Sequence, residues 1–509
     1  MGNHLFDLVR ARMPAADATF ATLDDGRRYS YADMVAASGR FANVLAGLGV
    51  KPGDRVAVQV EKSIDALMLY LGTVRAGGVF LPLNTAYTPA EIEYFLGDAE
   101  PAVFVCDPAK AGGLRPYAEK AGAKLETLGV GSGSLLDKAS AAQSDFADVA
   151  RGPDDLAAIL YTSGTTGRSK GAMLSHDNLA SNALALVDYW RFTKDDVLLH
   201  ALPIFHTHGL FVATNTILLA GASMILLPKF DPDQVFRHLP QATSMMGVPT
   251  FYVRLLQDQR LTPTSTSHMR LFVSGSAPLL AETHREWRER TGHAILERYG
   301  MTETNMNTSN PYEGERVAGT VGFPLPGVTA RVVDPESGKA LAADEIGMIE
   351  VKGPNVFKGY WRNPEKTAAE FKVDGFFITG DLGKIDAAGY VHIVGRGKDL
   401  IITGGYNVYP KEVETEIDEM PGVIESAVIG VPHPDFGEGV TAAVVVKPGA
   451  TITAQSIAAT LEQRLAKFKL PKQVFIVPEL PRNTMGKVQK NLLREQFKDI
   501  YAKQAKAGE

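Results

Sequence analysis

Apolar residues along this chain fall into short runs separated by stretches of helical spacing. Residues 55–60 alternate as a strand does, and Ile64, Leu67, Met68, Leu71 and Val74 then share one face of a helix. Gly77-Gly78 stops that helix. Strands are expected again at 79–83 and Val103–Cys106, with a helix between them. The alternation resumes with a strand at 156–160, a glycine-rich loop, and a polar helix beginning near His176. Further strands are expected at 197–202, 223–227, 242–248, Leu271–Ser274 and 294–298, with helices at 209–219 and 233–239. Strands alternating with helices imply right-handed crossovers and largely parallel sheets. From 320 to 352 the runs are short and broken by Gly and Pro, as in a β-rich subdomain. Beyond Lys398 a separate alternation begins: helix 411–420, strands 424–431 and 440–446, helix 457–467, strand 473–477, helix 491–501. The expectation is an α/β chain. Its large N-terminal domain, residues 1–397, carries parallel-type sheets with helices and the β-rich subdomain; a small mobile C-terminal α/β domain, residues 398–509, is hinged near Lys398.

Length supports two domains, since 509 residues exceed what one hydrophobic core serves. A hydrophobic content of 45% and a charged content of 22% are those of an ordinary globular protein. The formal net charge of −6 leaves no basic excess for a nucleic-acid partner. The single cysteine, Cys106, ends an apolar run, reads as a buried strand residue, and allows no intrachain disulfide. No run nears the ~18 apolar residues of a membrane span. Met1 to Val9 shows no signal peptide and Lys503 to Glu509 no lipidation signal. A cytoplasmic protein without a stable membrane anchor is expected; its oligomeric state is not legible.

The densest chemistry lies in Tyr161-Thr162-Ser163-Gly164-Thr165-Thr166-Gly167-Arg168-Ser169-Lys170-Gly171. Glycines let a backbone turn with its amides aimed inward. Hydroxyls add donors, and Arg168 and Lys170 add positive charge, so the loop suits phosphate oxygens. It is not a Walker A loop, because Ser169 precedes Lys170. Alone, such a loop reads as polar surface.

Further segments follow in order: Phe205-His206-Thr207-His208-Gly209, Ser274-Gly275-Ser276-Ala277, Tyr299-Gly300-Met301-Thr302-Glu303, Gly359-Tyr360-Trp361, Thr379-Gly380-Asp381, Gly395-Arg396-Gly397-Lys398-Asp399, and Pro481-Arg482-Asn483-Thr484-Met485-Gly486-Lys487. Together with the glycine loop, over nearly the whole chain, they resemble the adenylate-forming superfamily of acyl- and aryl-CoA synthetases, luciferases and peptide-synthetase adenylation domains. The resemblance implies ATP and coenzyme A as co-substrates and Mg²⁺ as cofactor. A carboxylate would attack the α-phosphate of ATP, and a thiol would then displace AMP.

On that resemblance, Thr162, Ser163, Gly164, Thr165, Thr166, Gly167, Arg168 and Lys170 would hold the β- and γ-phosphates. Glu303 would hold Mg²⁺, with Thr162 as a weaker ligand. Thr302 would contact the α-phosphate. Ser276-Ala277 and Glu297-Arg298-Tyr299-Gly300-Met301 would line the nucleotide, with Tyr299 and Ser276 bordering adenine. Asp381, following Thr379-Gly380 at the end of an apolar run, would accept from both ribose hydroxyls, and Arg396 would support the ribose or α-phosphate. Lys487 would enter the site for adenylation only, and rotation at Lys398 would later bring Gly404-Gly405-Tyr406 to the pantetheine arm. His206 would line the acyl pocket; His208 would pack structurally. Taken singly, Glu303, Asp381, Arg396 and Lys487 read as solvated charges.

Arg298 departs from the family, where the position before Tyr-Gly-Met-Thr-Glu is commonly uncharged. It is expected at the end of an apolar strand, near the acyl pocket, where a buried arginine needs a partner. A second substrate carboxylate would supply one bidentately, with His206 and Ser276 beside it; pairing with Glu297 or another internal acid is the bland alternative. Residues 296–308 and 205–211 resemble the malonate-activating branch, whose members load malonate, and often methylmalonate, onto coenzyme A. The alternatives are a ligase for acetate or another short monocarboxylate, an adenylation module serving a carrier protein, and a catalytically dead scaffold.

Overall fold

Strands Val79–Pro82 and Val103–Cys106 are buried at every position, the pattern of strands covered by helices on both faces. In the computed structural model, which describes residues 2–162, 169–483 and 486–501, they belong to a six-stranded sheet. Its order is Lys124–Thr127, Val103–Cys106, Arg55–Gln59, Val79–Pro82, Leu156–Tyr161, Gly171–Ser175. Only the last pair is antiparallel. The helix Ile64–Arg75 is capped by Ser63, whose hydroxyl accepts from Ala66 N at 3.1 Å. Gly77, with φ +73°, turns the chain back toward the next strand.

A nine-stranded sheet holds six parallel central strands, in the order Leu296–Met301, Leu271–Ser274, Ser244–Gly247, Val197–His200, Ser223–Leu226, Thr19–Leu23. Antiparallel strands close both edges, Asn305–Ser309 with Phe323–Pro324 on one and Arg28–Ser30 on the other. One apolar core runs through both large sheets and their helices. Four antiparallel strands follow: Thr329–Val333, Gly347–Lys352, Phe377–Ile385 and Val391–Arg396.

The last sheet contains Tyr406–Val408, Ile401–Thr403, Gly437–Val446 and Val423–His433, with Gln473–Ile476 parallel to Gly437–Val446. Helices Pro410–Asp418, Ala454–Glu462 and Lys490–Phe497 cover it, and it has cores of its own. The proposed boundary, Lys398, falls in the single 3₁₀ turn Gly397–Asp399 between the third and fourth sheets.

Three expectations need correction. The glycine loop leads into a strand, Gly171–Ser175, before the helix His176–Tyr189, so it links two antiparallel strands. Thr162 N donates to Lys170 O at 2.9 Å and closes its base. The helix expected at 209–219 is a π-helical segment, His208–Thr214, running into the α-helix Asn215–Ala220. The strand expected at 294–298 is Leu296–Met301, so Arg298 lies inside a strand, and its polar end kept the strand from being read to Met301.

Candidate active site

The hairpin of Leu296–Met301 and Asn305–Ser309 carries the sharpest chemistry. Its backbones approach closely at Gly300, where a Cβ would lie 1.8 Å from Asn305 O. Thr302 and Glu303 occupy the turn. Glu303 is buried and forms no ion pair among the described residues. Burial pushes its carboxyl above the usual range. The Tyr360 hydroxyl lies 3.0 Å from Glu303 Oε1 and 2.6 Å from Glu370 Oε2. Lys170 Nζ sits 4.3 Å from the centre of the Tyr360 ring and 3.6 Å from Glu370 Oε1. The exit of the glycine loop and the proposed metal carboxylate therefore share one tyrosine. Ser163, Gly164, Thr165, Thr166, Gly167 and Arg168 lie outside the described residues.

Tyr299 donates to Asp381 Oδ2 at 2.5 Å, and Arg396 Nε lies 2.7 Å from Asp381 Oδ1. Asp381 and Arg396 face each other across strands Phe377–Ile385 and Val391–Arg396. Asp381 thus lies inside the strand Phe377–Ile385, which continues beyond the apolar run that precedes it. The nearby carboxylate raises the Arg396 pKa.

Lys487 comes to this cluster from the C-terminal part of the chain. Burial is the main influence lowering its pKa, and its charged neighbours are Arg396, Asp381, Asp399 and Glu303. Its backbone N donates to Asn483 Oδ1 at 3.0 Å. Arg482 Nη1 donates to Gly486 O at 2.5 Å, and Arg482 also pairs with Glu425. A Cβ at Gly486 would lie 3.2 Å from the Thr250 side chain, so the loop rests on the large N-terminal part. Gly404-Gly405-Tyr406 is not brought to this cluster. Gly404-Gly405 forms the turn between Ile401–Thr403 and Tyr406–Val408, and the exposed Tyr406 ring stacks on Phe468 at 4.7 Å. The Lys398 ammonium is pushed down to about 8, chiefly by burial.

The third group surrounds Arg298. Its side chain is 3% exposed, and Nε and Nη2 have no hydrogen-bond partner among the described residues. Burial pushes the guanidinium down to about 9, which leaves it charged at neutral pH. It lies against Gly275: a Cβ there would be 2.3 Å from Arg298 Cζ. No ion pair joins it to Glu297; neighbours along a strand point to opposite faces. The Glu297 carboxyl is itself buried and pushed up to about 8, with Leu279 N donating to Oε1 at 3.2 Å.

Arg298 also depresses both nearby histidines, after burial, and His206 falls to about 4. Both imidazoles are therefore neutral at physiological pH. His206 Nδ1 accepts from His208 N at 3.3 Å, and His208 Nδ1 lies 3.1 Å from Ser276 Oγ. Ser276 holds φ +70°, a strained setting for a residue with a side chain. Ala277 is half-buried in the same loop. The motif reading left Tyr360 without a role, and it missed Glu370, which reads as a surface acid of the helix Pro364–Glu370.

Parallel sheets, an antiparallel strand pair joined by a glycine-rich loop, and an acid–arginine pair beside a tyrosine describe a nucleotide-binding ligase. The AMP-binding enzyme family matches residues 8–361, and the AMP-binding enzyme C-terminal domain matches 412–487. The chain belongs to this family of adenylate-forming acyl-CoA ligases, which use ATP and coenzyme A. Among solved structures it is similar to ATP-bound MatB from Rhodopseudomonas palustris, with 67% identity, a TM-score of 0.97, and coverage of 98% of this chain and 100% of that one. It is 34% identical to a malonate–CoA ligase of Arabidopsis thaliana, over 93% of this chain and 86% of that protein. It is 37% identical to a feruloyl-CoA synthase of an Amycolatopsis species, over 96% and 97%.

Proposed function

We propose that this enzyme is a malonate–CoA ligase, forming malonyl-CoA, AMP and diphosphate from ATP, malonate and coenzyme A. The observation that carries the reading is Arg298, a buried guanidinium with two nitrogens and no acid to meet them among the described residues. A dicarboxylate offers one group to react and a second to pair with it. The similarity to a malonate–CoA ligase supports the same substrate; similarity at that level to a feruloyl-CoA synthase leaves Arg298 as the discriminating feature. Methylmalonate, with one added methyl, is an expected second substrate.

In the first step a malonate oxygen attacks the α-phosphorus and diphosphate leaves. The acid is already ionised at neutral pH, so no base is needed, and the neutral His206 lines the pocket with Ser276. Lys487 and Thr302 would stabilise charge on the α-phosphate, Asp381 and Arg396 would hold the ribose, and Lys170 would meet the outer phosphates. A buried Glu303 carboxylate that forms no ion pair among the described residues fits Mg²⁺, which takes one or two protein carboxylates and completes its shell with phosphates and water. Thr162 would add a hydroxyl. The metal would neutralise phosphate charge. In the second step the coenzyme A thiolate attacks the carbonyl carbon and AMP leaves. Rotation at Lys398 would withdraw Lys487 and present Gly404-Gly405-Tyr406 to the pantetheine arm. A cytoplasmic setting suits a reaction that draws on ATP and coenzyme A.

The test is acid-dependent diphosphate release with malonate, methylmalonate, propionate, acetate and benzoate. Malonate is expected to give the highest kcat/KM; a monocarboxylate preferred over malonate refutes the assignment.

A further inference from the structure

Between the two large sheets lies a buried basic pair with no part in the reaction just described. Lys62 follows the strand Arg55–Gln59 of one sheet, and His200 ends Val197–His200 of the other. Lys62 is 8% exposed and His200 1%. Lys62 Nζ lies 2.9 Å from His200 Nδ1 and 2.8 Å from His200 O. No carboxylate pairs with either among the described residues, and burial holds Lys62 well below its usual pKa.

An amine nitrogen at Lys62 donates to both acceptors, so Nδ1 of His200 accepts and the ring proton sits on Nε2. Nε2 then donates to Gly209 O at 2.9 Å, and the Thr214 hydroxyl donates to the same oxygen at 3.0 Å. The Gly209 carbonyl and the Leu210 N–H belong to one planar peptide unit. Leu210 N donates to His206 O at 3.0 Å. That unit has little room to tilt, because a Cβ at Gly209 would lie 2.0 Å from Pro203 O. The orientation imposed by His200 thus fixes the donor that holds the His206 backbone, at the start of the π-helical segment His208–Thr214. Such segments gather at functional sites.

We propose that Lys62 is a positioning residue for the acid pocket: through His200 and the Gly209–Leu210 peptide it sets the place of His206. The inference rests on the proposed role of His206, and two readouts separate a failure of one from a failure of the other. The first needs no substrate. Nitrogen-15 spectra of histidine-labelled protein should show His200 with its proton on Nε2, and Lys62→Met should shift the ring toward a mixture. The second is kinetic. In malonate-dependent diphosphate release, Lys62→Met should raise KM for malonate and lower kcat, a loss of roughly 10–100-fold in kcat/KM. The calorimetric affinity for ATP should stay at the wild-type value. His200→Gln keeps an acceptor and a donor and should retain most activity, whereas His200→Phe should match Lys62→Met; melting curves establish that each is folded. A wild-type His200 protonated on Nδ1, or folded Lys62→Met and His200→Phe variants with unchanged kcat and KM, overturns the proposal. A wild type inactive on malonate refutes the substrate assignment alone, and the change in the His200 ring between wild type and Lys62→Met then decides whether the relay exists.

Discussion

Arg298→Ala is the perturbation that most exposes the substrate reasoning. The unpartnered nitrogens, Nε and Nη2, form one edge of the guanidinium, the edge that meets a carboxylate bidentately. Hydrogen bonds to charged groups contribute about 1.5–3 kcal/mol each, so two amount to about 3–6 kcal/mol. Removing one partner of a buried pair costs about 3–5 kcal/mol, in agreement. At about 1.4 kcal/mol per tenfold, kcat/KM for malonate should fall by roughly 10²–10⁴. Propionate carries no second carboxylate, and its kcat/KM should fall much less or rise. Lysine at this position should restore little, lacking the planar fork. The assay is diphosphate release with malonate and propionate for wild type, Arg298→Ala and Arg298→Lys, beside a melting curve. An unchanged malonate-to-propionate ratio in a folded variant would refute the idea that Arg298 reads the second carboxylate.

Three further predictions use other parts of the site. Gly275→Ala places a Cβ 2.3 Å from Arg298 Cζ; it should displace the guanidinium and reproduce the selectivity change of Arg298→Ala with little effect on ATP affinity, measured by calorimetry. Lys487→Ala should abolish malonate-dependent diphosphate release yet still convert supplied malonyl-adenylate and coenzyme A to the thioester; equal loss of both steps would contradict a two-orientation cycle. The Glu297 carboxyl, raised to about 8 by burial, holds a proton in the folded protein where the unfolded chain, with an ordinary pKa of ~4.3, has lost it. The folded state therefore binds more protons between those values, and stability should fall as pH rises from ~4.3 to ~8. Glu297→Gln should flatten that slope in melting temperature against pH; an identical slope would mean that Glu297 is ionised in the fold.

Much of the architecture was legible because strands buried on both faces write continuous apolar runs, as at Val103–Cys106 and Leu271–Ser274. Failures came where polar function interrupts the period. Leu296–Met301 carries Glu297 and Arg298 and was cut short, and Phe377–Ile385, with Asp381 in its middle, was read only as an apolar run before an acid. Gly171–Ser175 was absorbed into the loop it closes. Gly404-Gly405 is also a two-residue hairpin turn, a signal that its reading as a coenzyme A contact concealed. In the site, local motifs named Tyr299, Asp381, Arg396 and Lys487, which the fold brings together. Contacts between distant segments left no trace: Lys62 and His200 stand 138 positions apart, and Tyr360 and Glu303 stand 57 apart.

The central claim, that a malonate oxygen attacks the α-phosphorus before the thiol arrives, is tested most directly with malonate labelled by oxygen-18 in its carboxylates. After turnover with ATP and coenzyme A, the products are separated and weighed by mass spectrometry. Attack at the α-phosphorus followed by thiol attack at the carbonyl carbon places one labelled oxygen in AMP and none in diphosphate, with malonyl-CoA formed in equal amount. Unlabelled AMP, or label in inorganic phosphate accompanied by ADP, would contradict the account.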